Sequence, residues 1–289
     1  MTGMKYTAHA KINLALHVTG QRDDGYHLLD TLVVFTEFGD RLEVCENPGG
    51  EQLVKLAITG PFADGLPVDN TNLIVKAATE FVDLCGIQPR PAHITLEKNL
   101  PLASGIGGGS ADAAAALKAL VQFWDLKIED DVLPKLALDL GADVPMCLSS
   151  SPLIARSIGE DITPLKLPHP LSLVLINPGV SLSTPQVFSK LKTKFNSGID
   201  EIHEDEFPDT VKLQTLRNDL QRPASELCPQ IGQVIAALEE QNECQLARMS
   251  GSGATCFAIF PDLHLARQAA EKIRSSCPSW WVNATQTTG

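Results

Sequence analysis

Pro101-Leu102-Ala103-Ser104-Gly105-Ile106-Gly107-Gly108-Gly109-Ser110, running straight into Ala111-Asp112-Ala113-Ala114-Ala115-Ala116-Leu117, is the stretch on which the fold of this chain turns. Glycine admits backbone conformations closed to other residues and lets a ligand come close. Alanine is the best helix former. A glycine loop opening a helix presents unpaired N–H groups at the positive end of the helix dipole, which makes an anion site and most often a phosphate site. The P-loop needs Lys-Ser/Thr after its last glycine. Here Ser110-Ala111 follows, so that pattern fails. The dinucleotide fingerprint Gly-x-Gly-x-x-Gly fails at Ser110, with Gly109 one residue early, and no clear βαβ unit surrounds it. The plain alternative, a surface turn, needs one or two glycines rather than four, so phosphate binding ranks above it.

Upstream of the loop, Ala92 to Lys98 reads as a strand, and Lys98 is a surface charge or a phosphate neighbour. Asn70-Thr71-Asn72 caps a helix through Cys85, closed by Gly86, with Leu73, Ile74, Ala77, Ala78, Phe81, Val82 and Cys85 at helical spacing. Arg41 to Glu46 and Gln52 to Thr59 read as a pair of strands around Asn47-Pro48-Gly49-Gly50. Lys5 to Val18 alternates apolar and polar residues as a strand does, with Lys11 and Asn13 sharing one face. Gly20 to His27 is turn-rich and leads into a strand from Leu28 to Phe35.

Downstream, the alanine-rich helix runs from Ala111 to about Trp124 with Ser110 as its cap, and another runs from Asp130 or Asp131 to Gly141. Asp143, beside Val144-Pro145, reads by itself as a turn former or cap. After Ser149-Ser150-Ser151-Pro152 a second half begins, which sets domains of 1–155 and 156–289. Leu153 to Ser157 and Leu171 to Asn177 are strands. Thr184 is an N-cap with Pro185 at the first helical position, and Phe188 is core by default. The acidic span 190–212 reads as a loop or mobile insertion. A helix follows from Ala224 to Gln241, then a short strand from Gln245 to Met249. A second glycine loop, Ser250-Gly251-Ser252-Gly253, feeds the strand through Phe260. A last helix (Leu263 to Cys277) and strand (Trp280 to Ala284) complete the pattern.

The 289 residues are 44% hydrophobic and 20% charged, so a packed globular protein is expected. A net charge of −12 argues against non-specific nucleic-acid or membrane binding. Seven scattered cysteines with no Cys-x-x-Cys fit reduced thiols in a cytoplasmic protein. No apolar run approaches a membrane span, and Met1 to Tyr6 carries no targeting pattern.

Pro101-x-x-x-Gly105-Ile106-Gly107-Gly108-Gly109-Ser110-Ala111 resembles the central phosphate loop of the GHMP kinase superfamily. Ala10-Lys11-Ile12-Asn13-Leu14 resembles its first motif, and Ser250 to Ala254 its third. Three motifs in the family's order cover nearly the whole chain. Arg22-Asp23-Asp24-Gly25-Tyr26-His27 resembles the cytidine-binding segment of one branch, although Val34 stands where that branch carries a glutamine. The resemblance implies an α+β protein of two lobes: a ribosomal-protein-S5-domain-2-like N-terminal lobe that binds ATP, and a ferredoxin-like C-terminal lobe. It implies transfer of the γ-phosphate of ATP, with Mg²⁺, to the 2-hydroxyl of a cytidine diphosphate-linked methylerythritol in the non-mevalonate isoprenoid route. Lys11 and Asp143 would be catalytic. Lys98, Pro101, Ser104, Gly105, Ile106, Gly107, Gly108, Gly109 and Ser110 would take ATP, with Ser110 the one candidate metal ligand. Asn13, Tyr26, His27, Thr184 and Phe188 would take the acceptor, Tyr26 and Phe188 sandwiching cytosine and His27 bonding its edge. Gly251, Ser252 and Gly253 would close from the C-terminal half. Small molecules are the expected partners of a monomer or weak homodimer. Two alternatives are an acceptor such as mevalonate, homoserine or a sugar, which needs no cytosine pocket, and a nucleotide sensor without turnover.

Overall fold

The computed structural model describes residues 3–200, 202–203 and 207–288. Along the chain the elements are β1 (Met4–Gln21), β2 (His27–Glu46), β3 (Val54–Thr59), α1 (Leu73–Cys85), β4 (Ala92–Glu97), α2 (Gly108–Phe123), α3 (Val132–Leu140), α4 (Val144–Ser149), β5 (Leu153–Ser157) and β6 (Asp161–Pro164). There follow β7 (Ser172–Asn177), α5 (Thr184–Ser189), α6 (Thr210–Thr215), α7 (Gln221–Leu227), α8 (Gln230–Glu239), β8 (Leu246–Met249), β9 (Cys256–Phe260), α9 (Leu263–Ser276) and β10 (Trp281–Gln286). They form two compact units, each discontinuous in sequence. One comprises the residues up to Ala10, Phe38–Leu100 and Gly107–Ser149; the other comprises Lys11–Glu37, Pro101–Ile106 and Ser150 onward.

In the first unit, the second half of β2 pairs antiparallel with β4, Arg41 opposite Glu97 and Glu46 opposite Ala92. β3 pairs parallel with the other edge of β4. Arg41–Glu46 and the strand after Asn47 are therefore not hairpin partners, as the sequence suggested, because β4 lies between them. A parallel pair needs a crossover, and α1 supplies it. The sequence reading missed this β3–α1–β4 unit. α1 starts where Asn72 caps it, its side chain accepting from the Ile74 N–H, and stops at Gly86 in the left-handed conformation. α2 packs on α1 and α4. Its Ala111, Ala113 to Ala116, Leu117, Ala119 and Leu120 are all buried, and the small alanine side chains let neighbours approach from several sides.

In the second unit, the first half of β2 pairs antiparallel with β5, and β5 with β6. A separate antiparallel sheet runs β10-β7-β9-β8. α8 and α9 pack on it around Val174, Ile176, Val234, Leu238, Cys256, Ala258, Ala266 and Ile273. The single helix expected from Ala224 to Gln241 is two, α7 and α8, because Pro229 has no N–H to continue the ladder. In the span expected as a loop or insertion, the described residues up to Asp209 are irregular. They are tied down by the Ile199 N–H, which donates to Asp30 Oδ2 (2.8 Å), and by buried Ile199 and Ile202. Residues 201 and 204–206 of that span lie outside the described residues.

Candidate active site

Lys11 and Asn13 are buried on β1 in the second unit. Lys11 Nζ donates to Asn13 Oδ1 (3.0 Å), and Asn13 Nδ2 donates to Thr31 Oγ1 (2.8 Å), so the amide is locked and holds the ammonium. The Lys11 N–H donates to Ile106 O (2.9 Å), and the Asn13 N–H to Ser250 Oγ (3.0 Å). Ser250 Oγ in turn donates to Gly105 O (3.1 Å), and the Thr255 N–H to Ser104 O (3.0 Å). The first part of the phosphate loop is thus stitched to β1 and to the second glycine loop. The two loops meet backbone on backbone. A Cβ on Gly105, whose φ is +76°, would lie 2.6 Å from Gly253 N and Ser250 O; one on Gly251, φ +54°, would lie 2.6 Å from Gly105 O. Only glycine fits either position. Buried Ser104 donates its hydroxyl to Pro101 O (2.6 Å), which closes the turn.

The helical end of the loop belongs to the first unit. Gly107, φ 68°, is the N-cap of α2 and offers no side chain, so Ser110 does not cap the helix as expected; it sits inside the first turn. The N–H groups of Gly108, Gly109 and Ser110 have no intrahelical acceptors. Gly109 is exposed, and a Cβ there would meet nothing within 4 Å. A Cβ on Gly108 would face inward, 3.1 Å from Lys98 Nζ. Lys98 itself is 3% exposed; its ammonium donates to Asp40 Oδ2 (2.5 Å) and Asp112 Oδ2 (2.6 Å). Burial works against the Lys98 charge, but the two carboxylates outweigh it and leave the ammonium above its ordinary range. Burial pushes the Asp112 carboxyl up to about 8 despite Lys98. Asp143, half-buried in the same unit, immediately precedes α4, and its carbonyl accepts from the Cys147 N–H (3.1 Å).

At the start of β2 in the second unit, the His27 ring stacks on Phe188, centroids 4.7 Å apart and 27° from parallel. Tyr26 is 60% exposed. The aromatic partner of Phe188 here is therefore His27. His27 Nε2 is buried with no hydrogen-bond partner among the described residues. Burial, then the charge of Lys194, lowers the His27 pKa and favours the neutral ring. Lys194 donates to Gln21 Oε1 (3.0 Å). Ser183, not Thr184, is the N-cap of α5, with Pro185 in the first turn; the Thr184 hydroxyl instead pairs with Ser252 Oγ (2.8 Å).

Four supporting groups escaped sequence reasoning. Buried Asn218 donates to Met249 O (2.8 Å) and Gly251 O (2.9 Å) and sets the second glycine loop. Its only signal was an Asn-Asp pair before a helix. Buried Arg248 serves carbonyls: it donates to Leu14 O (2.6 Å), Leu213 O (3.1 Å) and Leu216 O (2.6 Å), and burial lowers its pKa to about 10. Asp40 and Asp112, the partners of Lys98, are the other two, and neither was singled out in the sequence.

The described residues contain no helix long and apolar enough to cross a membrane. Residues 72–151 match the model of the GHMP kinase N-terminal domain, and 200–279 that of the GHMP kinase C-terminal domain. With its two glycine loops and two-part α+β fold, the chain is a GHMP kinase. A 4-diphosphocytidyl-2-C-methyl-D-erythritol kinase of Agrobacterium fabrum is 48% identical over 294 residues, covering 97% of this chain and 95% of that one. A crystal structure of 4-(cytidine 5'-diphospho)-2C-methyl-D-erythritol kinase superposes with a TM-score of 0.80 at 33% identity, covering 99% and 100%. Within the superfamily, this chain belongs to the 4-diphosphocytidyl-2-C-methyl-D-erythritol kinases. A homoserine kinase from Cytophaga hutchinsonii shares the fold, with a TM-score of 0.74 at 20% identity over 100% and 95% of the two chains.

Proposed function

We propose that this chain transfers the γ-phosphate of ATP to the 2-hydroxyl of 4-diphosphocytidyl-2-C-methyl-D-erythritol, releasing ADP and the 2-phosphate for isoprenoid precursor synthesis. The observation that carries the phosphate site is Gly109. It lies in the first turn of α2, where alanine would be more stable and where nothing obstructs a side chain. A glycine with no packing reason beside unpaired N–H groups suits a phosphate that must come close.

Phosphoryl transfer is largely positioning and charge neutralisation. The N–H groups of Gly108, Gly109 and Ser110 hold phosphate oxygens, and Pro101 to Ile106 shape the approach. The acceptor oxygen attacks the γ-phosphorus, the bond to the β-phosphate oxygen breaks, ADP leaves, and the hydroxyl proton passes to Asp143. Lys11, fixed by Asn13, places a positive charge for the acceptor oxygen. Tyr26, His27 and Phe188 read the cytosine, the neutral His27 Nε2 bonding its edge, while Thr184 and Ser252 hold the acceptor and Gly251 and Gly253 let it approach. Mg²⁺ usually takes most of its ligands from nucleotide phosphates and water; Ser110 is the protein oxygen we assign to it. When bound it neutralises charge on the β- and γ-phosphates. The solution form is a monomer or weak homodimer working in the cytoplasm.

ADP release from Mg-ATP is the test, with the cytidyl-methylerythritol acceptor, mevalonate, homoserine and galactose offered separately. Turnover of the first alone is expected. Turnover of another acceptor, or of none, overturns the substrate assignment. Asp143→Ala should lower kcat about 10²–10⁴-fold, the usual contribution of a positioned base.

A further inference from the structure

The ammonium of Lys98 lies under the start of α2, not on its open side. It is buried between Asp40 of β2 and Asp112, four residues into the helix. Asp40 is fully committed: Oδ1 accepts from the N–H groups of Asn99 (2.5 Å) and Leu100 (2.8 Å), and Oδ2 from Lys98. That carboxylate therefore fixes the end of β4 and the chain that leaves it. Asp112 is different. Its Oδ2 takes Lys98, but its Oδ1 is buried with no partner among the described residues. A half-satisfied carboxyl in a helix rich in alanine costs stability, so packing alone does not account for it. The inward-facing Cα of Gly108 completes the arrangement: a side chain there would reach within 3.1 Å of Lys98 Nζ, so glycine lets the helix start rest on the ammonium.

We infer that Asp40, Lys98 and Asp112 form a buried clamp that sets the position of the first turn of α2, so that Lys98 is a positioning residue for the nucleotide phosphates and not a ligand to them. The clamp ties β2 and the end of β4 to the first turn of α2, whose N–H groups have no intrahelical acceptor. Its effect on ATP passes through the placement of Gly108 to Ser110. This rests on the reading of that turn as the ATP site.

The sign of one substitution separates clamp from ligand. If Lys98 reached a phosphate, removing a carboxylate that competes for it would leave ATP binding unchanged or tighter. If Lys98 clamps the helix, removing Asp112 frees the turn and weakens ATP. Titration calorimetry of Mg-ATP and, separately, of the cytidyl acceptor into the full chain reads both, with a thermal melt on each variant. Asp112→Ala should weaken ATP about tenfold and leave acceptor affinity within about twofold. Asp112→Asn, which keeps an acceptor for Lys98, should restore ATP to within about threefold of wild type. Unchanged or tighter ATP binding by a folded Asp112→Ala overturns the clamp, as does an equal loss for both ligands. If Asp112→Ala does not fold, Lys98→Met/Asp40→Asn removes the buried charge pair together, and undiminished ATP affinity in that variant also overturns it. A wild-type chain that binds no ATP would refute the function proposed for the loop, and is separate from either result.

Discussion

Gly105 and Gly109 lie in one glycine loop but are glycine for different reasons, and adding one methyl to each separates the reasons. At Gly105 the new Cβ would sit 2.6 Å from Gly253 N and Ser250 O and 2.7 Å from Gly253 O, at φ +76°. The left-handed conformation costs an alanine about 1–2 kcal/mol. Making room among backbone atoms costs about 1–3 kcal/mol more. A total of about 2–5 kcal/mol should lower the melting temperature of a chain this size by roughly 3–8 °C. At Gly109 the new Cβ meets nothing, and helix propensity should return about 0.5–1 kcal/mol, so the melting temperature should hold or rise by a degree or two. If a phosphate packs against that backbone, the methyl should cost ATP about 1–3 kcal/mol, which is about 5- to 150-fold in KM. The assay is a thermal melt and ATP saturation at fixed acceptor for Gly105→Ala and Gly109→Ala. A Gly109→Ala enzyme with wild-type KM for ATP refutes the phosphate at the first turn of α2. A Gly105→Ala enzyme that melts like wild type refutes the backbone-on-backbone contact.

Tyr26→Ala should leave the melt unchanged, since the ring is 60% exposed, and raise KM for the cytidyl acceptor without moving that for ATP. A lost base stack is worth about 1–3 kcal/mol; equal KM values in mutant and wild type would contradict it. The pKa of His27 is lowered below 6.5, so the unfolded chain holds its proton more tightly than the folded one, and the neutral ring's contribution is lost as pH falls below that value. The acid limb of kcat/KM for the acceptor should therefore lie below pH 6.5 and vanish in His27→Gln; a limb that persists assigns the titration elsewhere. Arg248→Met strips three carbonyls of their donor and should lower stability by about 3–5 kcal/mol, with Arg248→Lys intermediate in a urea melt. An unchanged midpoint in Arg248→Met would count against those bonds.

Where local chemistry decides the outcome, the sequence was legible. Asn72 and Gly86 bound α1 as their types require, and the three motifs stood in family order. What escaped was set at long range. Nothing near Arg41 says that its partner is Glu97 rather than a residue past the next turn. Ser110 is a good cap by type, yet the chain enters the helix at Gly107, whose left-handed φ of 68° suits glycine. Thr184 likewise yields its capping place to Ser183 and spends its hydroxyl on Ser252, 68 residues away. Asp112 in an alanine run gave no hint of Lys98, because burial and partners are properties of the folded chain. The stack of His27 on Phe188 was not read from the sequence, because the two rings stand 161 residues apart in the chain.

The stitching of Gly105 to Ser250 and Gly253 bears on biosynthesis. A bond such as the one from the Asn13 N–H to Ser250 Oγ spans 237 residues, so it cannot exist until nearly all of the chain has left the ribosome. At about 5–20 residues per second, the wait is on the order of ten seconds or more after β1 emerges. Once it has emerged, and until Ser250 follows, the glycine-rich segment has only its β1 bond, from the Lys11 N–H to Ile106 O, and lacks the second glycine loop. A nascent chain stalled before Ser250 should therefore be readily cleaved by protease at Ser104 to Ile106, a sensitivity that release of the rest of the chain abolishes.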